Sequence, residues 1–207
     1  MLENLIMRYP SLLSSKKQIS DATDILYNSF LQGGKLLLCG NGGSCSDCEH
    51  ITGELMKGFM QKRTLSDAIK KEFFNVFGDD GENIASKLQG ALPAISLPSQ
   101  SGILSAFAND VDPELVYAQL LWGYGGANDV LITMSTSGNS KNIIKACMVA
   151  KIKGVKIVGF TGENSCKLDE FGDVVIHVPE TETYKIQELH LPVYHSICAE
   201  LEKRFFG

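Results

Sequence analysis

The chain has 207 residues, of which 44% are hydrophobic and 21% charged, and its formal net charge is −5 at pH 7. This length and balance predict one globular domain with a substantial core. The negative charge and the scattered lysines and arginines argue against a nucleic-acid partner, and the apolar runs are too short to cross a membrane.

Apolar periodicity predicts helices and strands in alternation along the chain. The N-terminal segment 2–32 indicates one or two helices that end at Gly33 and Gly34. Short apolar runs predict five buried strands, at 35–39, 92–97, 129–134, 155–160 and 173–178. Helical patterns lie at 45–58, 101–123 (with a helix start at Asp112-Pro113), 140–154 and 184–205. This alternation is typical of a single α/β domain, in which helices cover both faces of a parallel sheet.

The segment 59–91 fits this alternation less well, because it is a long polar excursion between a helix and the second strand. It contains a helical pattern at 65–77 and a turn signal at 78–81. A long excursion inside a compact α/β fold is usually a lid, an oligomer contact or a mobile surface element.

Two loops follow predicted strands and precede predicted helices. The first, GNGGS at 40–44, can point backbone N–H groups at an anion, although a tight turn explains its glycines equally well. Its spacing matches neither a Walker loop nor a dinucleotide fingerprint. The second, STSGNS at 135–140, offers hydroxyl groups that suit a phosphomonoester but also an ordinary helix cap. Two such loops at the carboxyl ends of parallel strands together favour a small phosphorylated ligand.

Cys45 and Cys48 follow the first loop with C-x-x-C spacing. A helix N-terminus lowers the pKa of a thiol, so this spacing is one signature of a redox site. Two small side chains on a packed helix explain it more simply. The six cysteines lack disulfide-framework spacing, and residues 1–18 do not resemble a secretory signal. We therefore expect reduced thiols and a cytoplasmic protein.

Two helices carry residues that are suited to acid–base chemistry. His50 and Glu54 are four residues apart, which places both side chains on one helix face. The C-terminal helix adds Gln187, Glu188 and His195. An acid–base pair or a zinc site needs histidine and carboxylate from more than one element, and these helices could supply them. On ideal helix geometry His195 aligns better with Glu188 than with Gln187.

In combination these motifs resemble the sugar isomerase (SIS) superfamily, and most closely its bacterial phosphoheptose isomerases. The matching segments are CGNGGS at 39–44 with His50 and Glu54, AND at 108–110, STSGNS at 135–140, KIVGFTG at 156–162 and IQELHLPVYHSICAELE at 186–202. They are distributed over nearly the whole chain apart from 59–91. The resemblance implies one SIS domain over residues 1–207, a three-layer αβα sandwich whose five-stranded parallel sheet has a flavodoxin-like order, with residues 1–32 as N-terminal helices and 59–91 as an insertion.

The resemblance also implies an aldose–ketose isomerase that converts sedoheptulose 7-phosphate to a heptose 7-phosphate aldose through an enediol. Glu54 matches the family's general base and His195 its partner acid. One zinc ion per subunit would be held by His50, Glu54, Gln187 and His195, so that Gln187 takes precedence over the better aligned Glu188. Contacts to the sugar would come from Asn41, Gly42, Gly43, Glu54, Asn109, Asp110 and Gln187, and contacts to the phosphate from Ser135, Thr136, Ser137 and Ser140. Family members are homotetramers with sites at subunit boundaries.

Three features depart from the family pattern. Lys57-Gly58 follows Glu54 where the family has a small residue pair and then Arg, the segment 59–91 is long, and Pro192 lies inside a predicted helix. A changed rim alters which sugar fits, so an isomerase of another ketose phosphate is one alternative. A non-catalytic SIS protein that senses sugar phosphate or binds a protein is another. A replication-initiation regulator of this superfamily lacks the catalytic Glu and His, which this chain retains.

Overall fold

Five strands form one parallel sheet in the computed structural model, which describes residues 1–207. Their bounds are Leu36–Gly40 (β1), Ala94–Ser96 (β2), Val130–Met134 (β3), Lys156–Thr161 (β4) and Val174–His177 (β5). They are arranged in the order β2-β1-β3-β4-β5, which is the flavodoxin-like order. The predicted parallel sheet and its strand order are confirmed.

Eight α-helices surround this sheet. Their bounds are Leu2–Arg8 (α1), Lys16–Leu31 (α2), Gly43–Met56 (α3), Asp67–Lys87 (α4), Ser101–Asp110 (α5), Val116–Tyr124 (α6), Lys141–Lys153 (α7) and Thr183–Phe206 (α8). The helices α1, α2, α3 and α8 form a hydrophobic core with one face of the sheet, and α5, α6 and α7 form a second core with the other face. The predicted three-layer sandwich is confirmed. No helix is long and apolar enough to cross a membrane.

β1 shows why the central strands are unbroken apolar runs. Its side chains alternate between the two cores, with Leu36 and Leu38 on one face and Leu37 and Cys39 on the other. Because helices cover both faces, every residue of β1 is buried. A strand with two buried faces has no polar side, so its sequence does not alternate between apolar and polar residues.

The helical pattern at 101–123 forms two α-helices, and the second helical segment starts at Asp112-Pro113, as predicted. Asp112 accepts a hydrogen bond from the backbone N–H of Glu114 at 2.7 Å and caps a short 3₁₀ turn that starts at Pro113. The continuous helix α6 begins only at Val116. Proline lacks an N–H group and favours the start of a helical segment, which explains why the break falls here.

The helix α4 lies within the segment 59–91 and extends beyond the predicted turn. Gly78 has a φ of +60° and interrupts the helical backbone, but the helix resumes directly after it. The predicted turn at 78–81 is therefore present, because the non-helical backbone of Gly78 divides α4 into two helical parts. The chain folds back there, since a Cβ added to Gly81 would lie 2.1 Å from the backbone oxygen of Phe73. An antiparallel bridge between Thr64 and Gln89 closes this excursion at its base, and we call residues 64–89 the arm.

Candidate active site

The helices α3 and α8 bring three of the predicted site residues together. Nε2 of His50 lies 3.2 Å from Oε1 of Glu54 and 3.3 Å from Nε2 of His195. The His50 and Glu54 side chains share one face of α3, as their spacing predicts. The pairing with His195 depends on the packing of α8 against α3.

Tyr194 and Asp47 orient the His50 ring. The Tyr194 hydroxyl lies 3.1 Å from Oδ1 of Asp47 and 3.0 Å from Nδ1 of His50. An ionised carboxylate only accepts hydrogen bonds, so the hydroxyl donates to Asp47 and accepts from Nδ1–H of His50. This tautomer leaves a lone pair on Nε2 of His50, so its 3.2 Å approach to Oε1 of Glu54 is a contact between two acceptors, which a cation bound between them would relieve.

The same hydrogen bonding assigns a proton to His195. Because Nε2 of His50 is an acceptor, Nε2 of His195 is the donor in the contact between the two rings. Burial and the neighbouring His50 lower the pKa of His195, while Glu54 raises it, and the net shift is downward. His195 is therefore a neutral imidazole near pH 7 whose Nε2–H can act as an acid.

Glu54 keeps one oxygen free for a ligand. Its side chain is 14% exposed, and its Oε2 atom is buried without a hydrogen-bond partner. The nearest cation, Nζ of Lys57, lies 3.9 Å from that oxygen. A buried carboxylate oxygen is rarely left unpaired, so this atom is suited to a substrate proton or a metal ion.

Gln187 lies at the other end of α3 from Glu54. A Cβ added to Gly43, the first residue of α3, would lie 2.7 Å from Nε2 of Gln187. Gln187 and His195 are eight residues apart on α8, which corresponds to about 12 Å along the helix axis. Within one chain Gln187 therefore lies apart from the other three predicted metal ligands, and the four-ligand set stays a prediction. Glu188 is exposed to solvent, so α8 directs Gln187 rather than Glu188 toward α3.

The two predicted anion loops meet at the crevice between β1 and β3. The amide groups of Asn41 and Asn142 form a pair of hydrogen bonds across this crevice, at 3.0 and 2.9 Å. Gly42, between Asn41 and the start of α3, has a φ of +56°, which glycine adopts readily. In a doubly wound sheet this crevice is the switch point at which ligands bind. Asn142 could not be identified from the sequence, because one asparagine in the first turn of α7 shows no sign of a site until its pairing with Asn41 is seen.

The loop 135–140 forms a polar cavity. The hydroxyl oxygens of Ser135 and Ser140 lie 3.1 Å apart, and Ser137 accepts a hydrogen bond from the backbone N–H of Asn139. A Cβ added to Gly138 would lie 2.1 Å from Sγ of Cys166, so only glycine lets the loop pack this closely. The adjoining cavity measures about 260 Å³, and its lining is Thr136, Ser137, Asn139, Gly162, Asn164, Ser165, Glu180, Thr181 and Ile186. Asn139 was not among the predicted site residues. Its side-chain oxygen accepts a hydrogen bond from the backbone N–H of Lys167 at 3.0 Å and thereby fixes the loop to that segment.

Asn109 and Asp110 lie apart from the other predicted site residues. Both are exposed at the C-terminal end of α5, where the Asn109 amide donates to the Asp110 carboxylate at 2.8 Å. Beyond this pair, neither side chain forms a hydrogen bond with a predicted site residue. Within one chain, the structure does not bring them to the cluster of His50, Glu54 and His195 between α3 and α8.

The thiols at the start of α3 lack the properties of a redox pair. Burial raises the pKa of Cys48 well above its usual value, and burial also raises the pKa of Cys45, with Glu49 adding to the shift. A reactive thiol requires a lowered pKa. These cysteines are packing residues, and all six cysteines are free.

Two comparisons with known proteins place the chain in a family. A family model described as the SIS domain matches residues 12–72 and 65–162. A phosphoheptose isomerase from Burkholderia pseudomallei is 36% identical over 196 residues, which are 95% of this chain and 85% of that protein. The chain belongs to the SIS domain family, among its phosphoheptose isomerases. A relative with the same name from Synechocystis is 34% identical over 91% of this chain and 84% of its own length.

Solved structures agree with the SIS fold. Phosphoheptose isomerases from Neisseria gonorrhoeae and Francisella tularensis superpose with TM-scores of 0.73 and 0.74, each at 24% sequence identity. The alignment covers 97% of this chain and 98% of the first structure, and 98% of both chains for the second.

The residues that depart from the SIS family pattern after Glu54 lie beside the cluster of His50, Glu54 and His195. Lys57 approaches Glu54, and the N–H of Gly58 donates to the Gln89 side chain at the base of the arm.

Proposed function

We propose that the protein is an aldose–ketose isomerase that interconverts sedoheptulose 7-phosphate and D-glycero-D-manno-heptose 7-phosphate. The observation that carries this proposal is the convergence of Glu54, with one unpaired buried oxygen, and His195, with one acidic N–H, on His50. Membership of the phosphoheptose isomerases supports the same reaction. The polar loops at 40–44 and 135–140 supply amides and hydroxyls for the phosphate.

The chemistry requires one proton acceptor and one proton donor. The Glu54 carboxylate removes the proton from C1 of the ketose, and solvent gives a proton to the C2 carbonyl oxygen, so that an enediol forms. His195 then delivers its N–H proton to C2 and takes up the C1 hydroxyl proton as the C1 oxygen becomes the aldehyde, so the imidazole ends neutral. Glu54 returns its proton to solvent, which restores the starting state of both groups.

Replacement of Glu54 by Gln tests this assignment. Glu54→Gln keeps the shape of the side chain but removes the base, so we expect turnover of sedoheptulose 7-phosphate to fall by about 10³-fold or more, while sugar-phosphate binding is retained. The matched control is Glu188→Gln, an exposed residue of α8, which should behave as the parent. Aldose phosphate formation would be followed alongside calorimetric binding. A Glu54→Gln variant with the parental rate would refute the base assignment.

A different ketose phosphate is the second candidate substrate. Lys57 lies 3.9 Å from the free oxygen of Glu54, and this cation stands where the family pattern has a small residue. Competition between sedoheptulose 7-phosphate and shorter ketose phosphates, measured as relative kcat/KM, separates the two candidates. The non-catalytic alternative would show binding of a sugar phosphate without turnover of any of them.

We propose further that the centre binds one zinc ion through His50, Glu54 and His195. In their present positions, no three side chains of histidine, cysteine, aspartate or glutamate are arranged to hold a metal ion. The donor types nevertheless fit, because the 3.2 and 3.3 Å separations match the edge of a zinc tetrahedron, about 3.3 Å for bonds near 2.0 Å. With zinc bound, Nε2 of His195 would be a ligand and the proton of that ring would lie on Nδ1, so the Nε2–H described above belongs to the metal-free form. The orphan oxygen of Glu54 gives a further possible contact. When bound, zinc would polarise the sugar carbonyl.

Metal content tests this proposal independently of activity. After dialysis against zinc and removal of the excess, elemental analysis should find one zinc ion per chain in the parent and in a His177→Gln control. The His50→Ala variant should lose most of it, because it removes the central donor, and zinc should no longer raise its Tm. Equal zinc content in the parent and in His50→Ala would exclude the site.

We propose a cytoplasmic homotetramer as the working form. The six free cysteines support a reducing compartment. Large apolar side chains that are exposed on the arm support association between copies, namely Ile69, Phe74, Val76 and Phe77. A subunit boundary would also let Gln187 of one copy reach the zinc ligands of another. Sedimentation velocity measures the number of copies directly.

A further inference from the structure

Arg63 is a buried cation that none of the steps above uses. Its side chain is completely buried, in the segment between α3 and the arm. The guanidinium donates from Nε to Oε1 of Glu202 at 2.8 Å, from Nη1 to the backbone oxygen of Leu55 at 2.6 Å, and from Nη2 to that of Glu54 at 2.9 Å. Three of its donors are therefore directed at two different helices, α3 and α8.

The contacts on α3 hold the turn that carries the proposed base. α3 ends at Met56, and Lys57 is extended, with a φ of −142° and a ψ of 176°. The last carbonyl groups of a helix have no N–H partner in the helix and carry its partial negative charge. Arg63 donates to two of them. The Leu55 oxygen also accepts the backbone N–H of Leu92 at 3.0 Å, whereas Arg63 is the partner of the Glu54 oxygen. The backbone position of the base thus depends on this guanidinium.

The contact on α8 links that turn to the proposed acid. Glu202 is seven residues after His195, so both side chains lie on nearly the same face of α8. Its two oxygens also accept the backbone N–H groups of Phe59 at 2.7 Å and Met60 at 2.8 Å. A buried carboxylate with this many donors is fixed in place, and it fixes the segment that follows α3 to the helix that carries His195.

Arg63 also closes the base of the arm. Its backbone oxygen accepts a hydrogen bond from Gly90 at 2.6 Å, beside the bridge between Thr64 and Gln89. Phe206, near the end of α8, covers the guanidinium, with a ring centroid 4.8 Å from Cζ. One side chain therefore joins α3, α8 and the arm.

We propose that Arg63, through its ion pair with Glu202, is a positioning residue that holds Glu54 in register with His195. Its kinetic consequence rests on the function proposed above. Arg63 does not touch the free oxygen of Glu54, so loss of the guanidinium should impair the proton-transfer geometry more than it impairs the binding of sugar phosphate.

Arg63→Lys is the decisive variant, with Arg204→Lys as its matched control. Lysine keeps the charge and can pair with Glu202, but it has no planar fork that reaches two carbonyl groups as well. At a temperature where circular dichroism shows a folded protein, we expect kcat to fall by about 10- to 100-fold with KM within about twofold of the parent. Arg204 also lies on α8 and pairs with Asp24 and Glu200 at the surface, so Arg204→Lys should keep the parental kcat.

Amide hydrogen exchange gives a reading that does not depend on turnover. In Arg63→Lys, exchange at residues 53–57 and 90–92 should accelerate by about tenfold or more while α7 is unchanged, because only the turn held by Arg63 opens more often. If the parent turns over no sugar phosphate, the proposed function fails, and this measurement still decides whether Arg63 fixes the turn.

A second variant covers the case in which Arg63→Lys does not fold. The combination Arg63→Met with Glu202→Gln removes both charges and leaves one oxygen acceptor, which keeps a partner for one of the N–H groups of Phe59 and Met60. It should fold with the same lowered kcat and parental KM. The proposal would be overturned if the folded variant, either Arg63→Lys or the double variant, kept the kcat of the parent and the amide exchange rates of the parent at residues 53–57 and 90–92.

Discussion

Tyr194 shows how one hydroxyl group determines the chemistry of a neighbouring imidazole. The tyrosine ring is 1% exposed, and its hydroxyl bridges Asp47 and His50. Burial raises the pKa of Tyr194, with the Asp47 charge adding to the shift, so the hydroxyl stays protonated and acts as a donor. Nε2 of His50 therefore keeps its lone pair because of a buried tyrosine that fixes the proton on Nδ1.

Tyr194→Phe removes this hydroxyl and keeps the ring. His50 loses the partner of its Nδ1–H, so we expect kcat to fall by about 10- to 100-fold, the usual effect of losing a residue that orients a ligand or a catalytic group. Steady-state kinetics measures this effect. The control is Tyr184→Phe, an exposed tyrosine of the same helix. A Tyr194→Phe variant with parental kcat would show that the ring of His50 is held by packing alone.

At the scale of elements, α3 and α8 divide the site into two regions. The N-terminal ends of both helices meet where Gln187 packs on Gly43, beside the loops suited to phosphate. His50, Glu54 and His195 lie further along the two helices, and Gly43 and His50 are about 10 Å apart by helix rise. One pair of packed helices thereby offers separate places for an anion and for proton transfer.

The helix α8 remains continuous despite Pro192. It runs from Thr183 to Phe206 with the proline inside. A proline removes one helical hydrogen bond, yet α8 buries residues on both sides of this position, such as His190 and Val193. Tertiary packing therefore outweighs the local cost, and His195 and Glu202 stay on one uninterrupted helix.

At the scale of the whole molecule, a buried histidine makes folding sensitive to acid. His190 on α8 is fully buried against β4, with Nε2 3.4 Å from the backbone oxygen of Thr161 and no partner for Nδ1. Burial lowers the pKa of His190 to about 4, from 6.5 in the absence of burial. The unfolded chain therefore takes up a proton below pH 6.5 that the folded chain does not bind, so stability is lost as the pH falls.

His190→Leu tests this dependence, because leucine cannot take up a proton in either state. In the parent we expect His190 to account for a loss of about 3 kcal/mol in the free energy of unfolding between pH 6.5 and pH 4. Urea unfolding at several pH values should show a flatter profile for His190→Leu, whereas a Met148→Leu control on the exposed side of α7 should keep the parental slope. Identical slopes for the parent and His190→Leu would contradict the assignment.

Much of this architecture could be predicted from local pattern. β1 and β3 were predicted from their unbroken apolar runs, since a strand covered on both faces has no polar residues to interrupt it. The spacing of His50 and Glu54 predicted their shared helix face, because that depends only on helix geometry. The glycines at 42 and 138 also marked real loops, since both have positive φ values.

By itself, the sequence determined which segments are helices and strands and which residues are candidates for the chemistry, because periodicity and residue type are local properties. Tertiary structure decided which of those residues meet. It paired His195 with His50, placed Gln187 at Gly43 instead of beside the other proposed metal ligands, and tied Arg63 to Glu202 across 139 positions of sequence. Contacts of that kind depend on how whole helices pack, and no local pattern encodes the distance between two side chains on different helices.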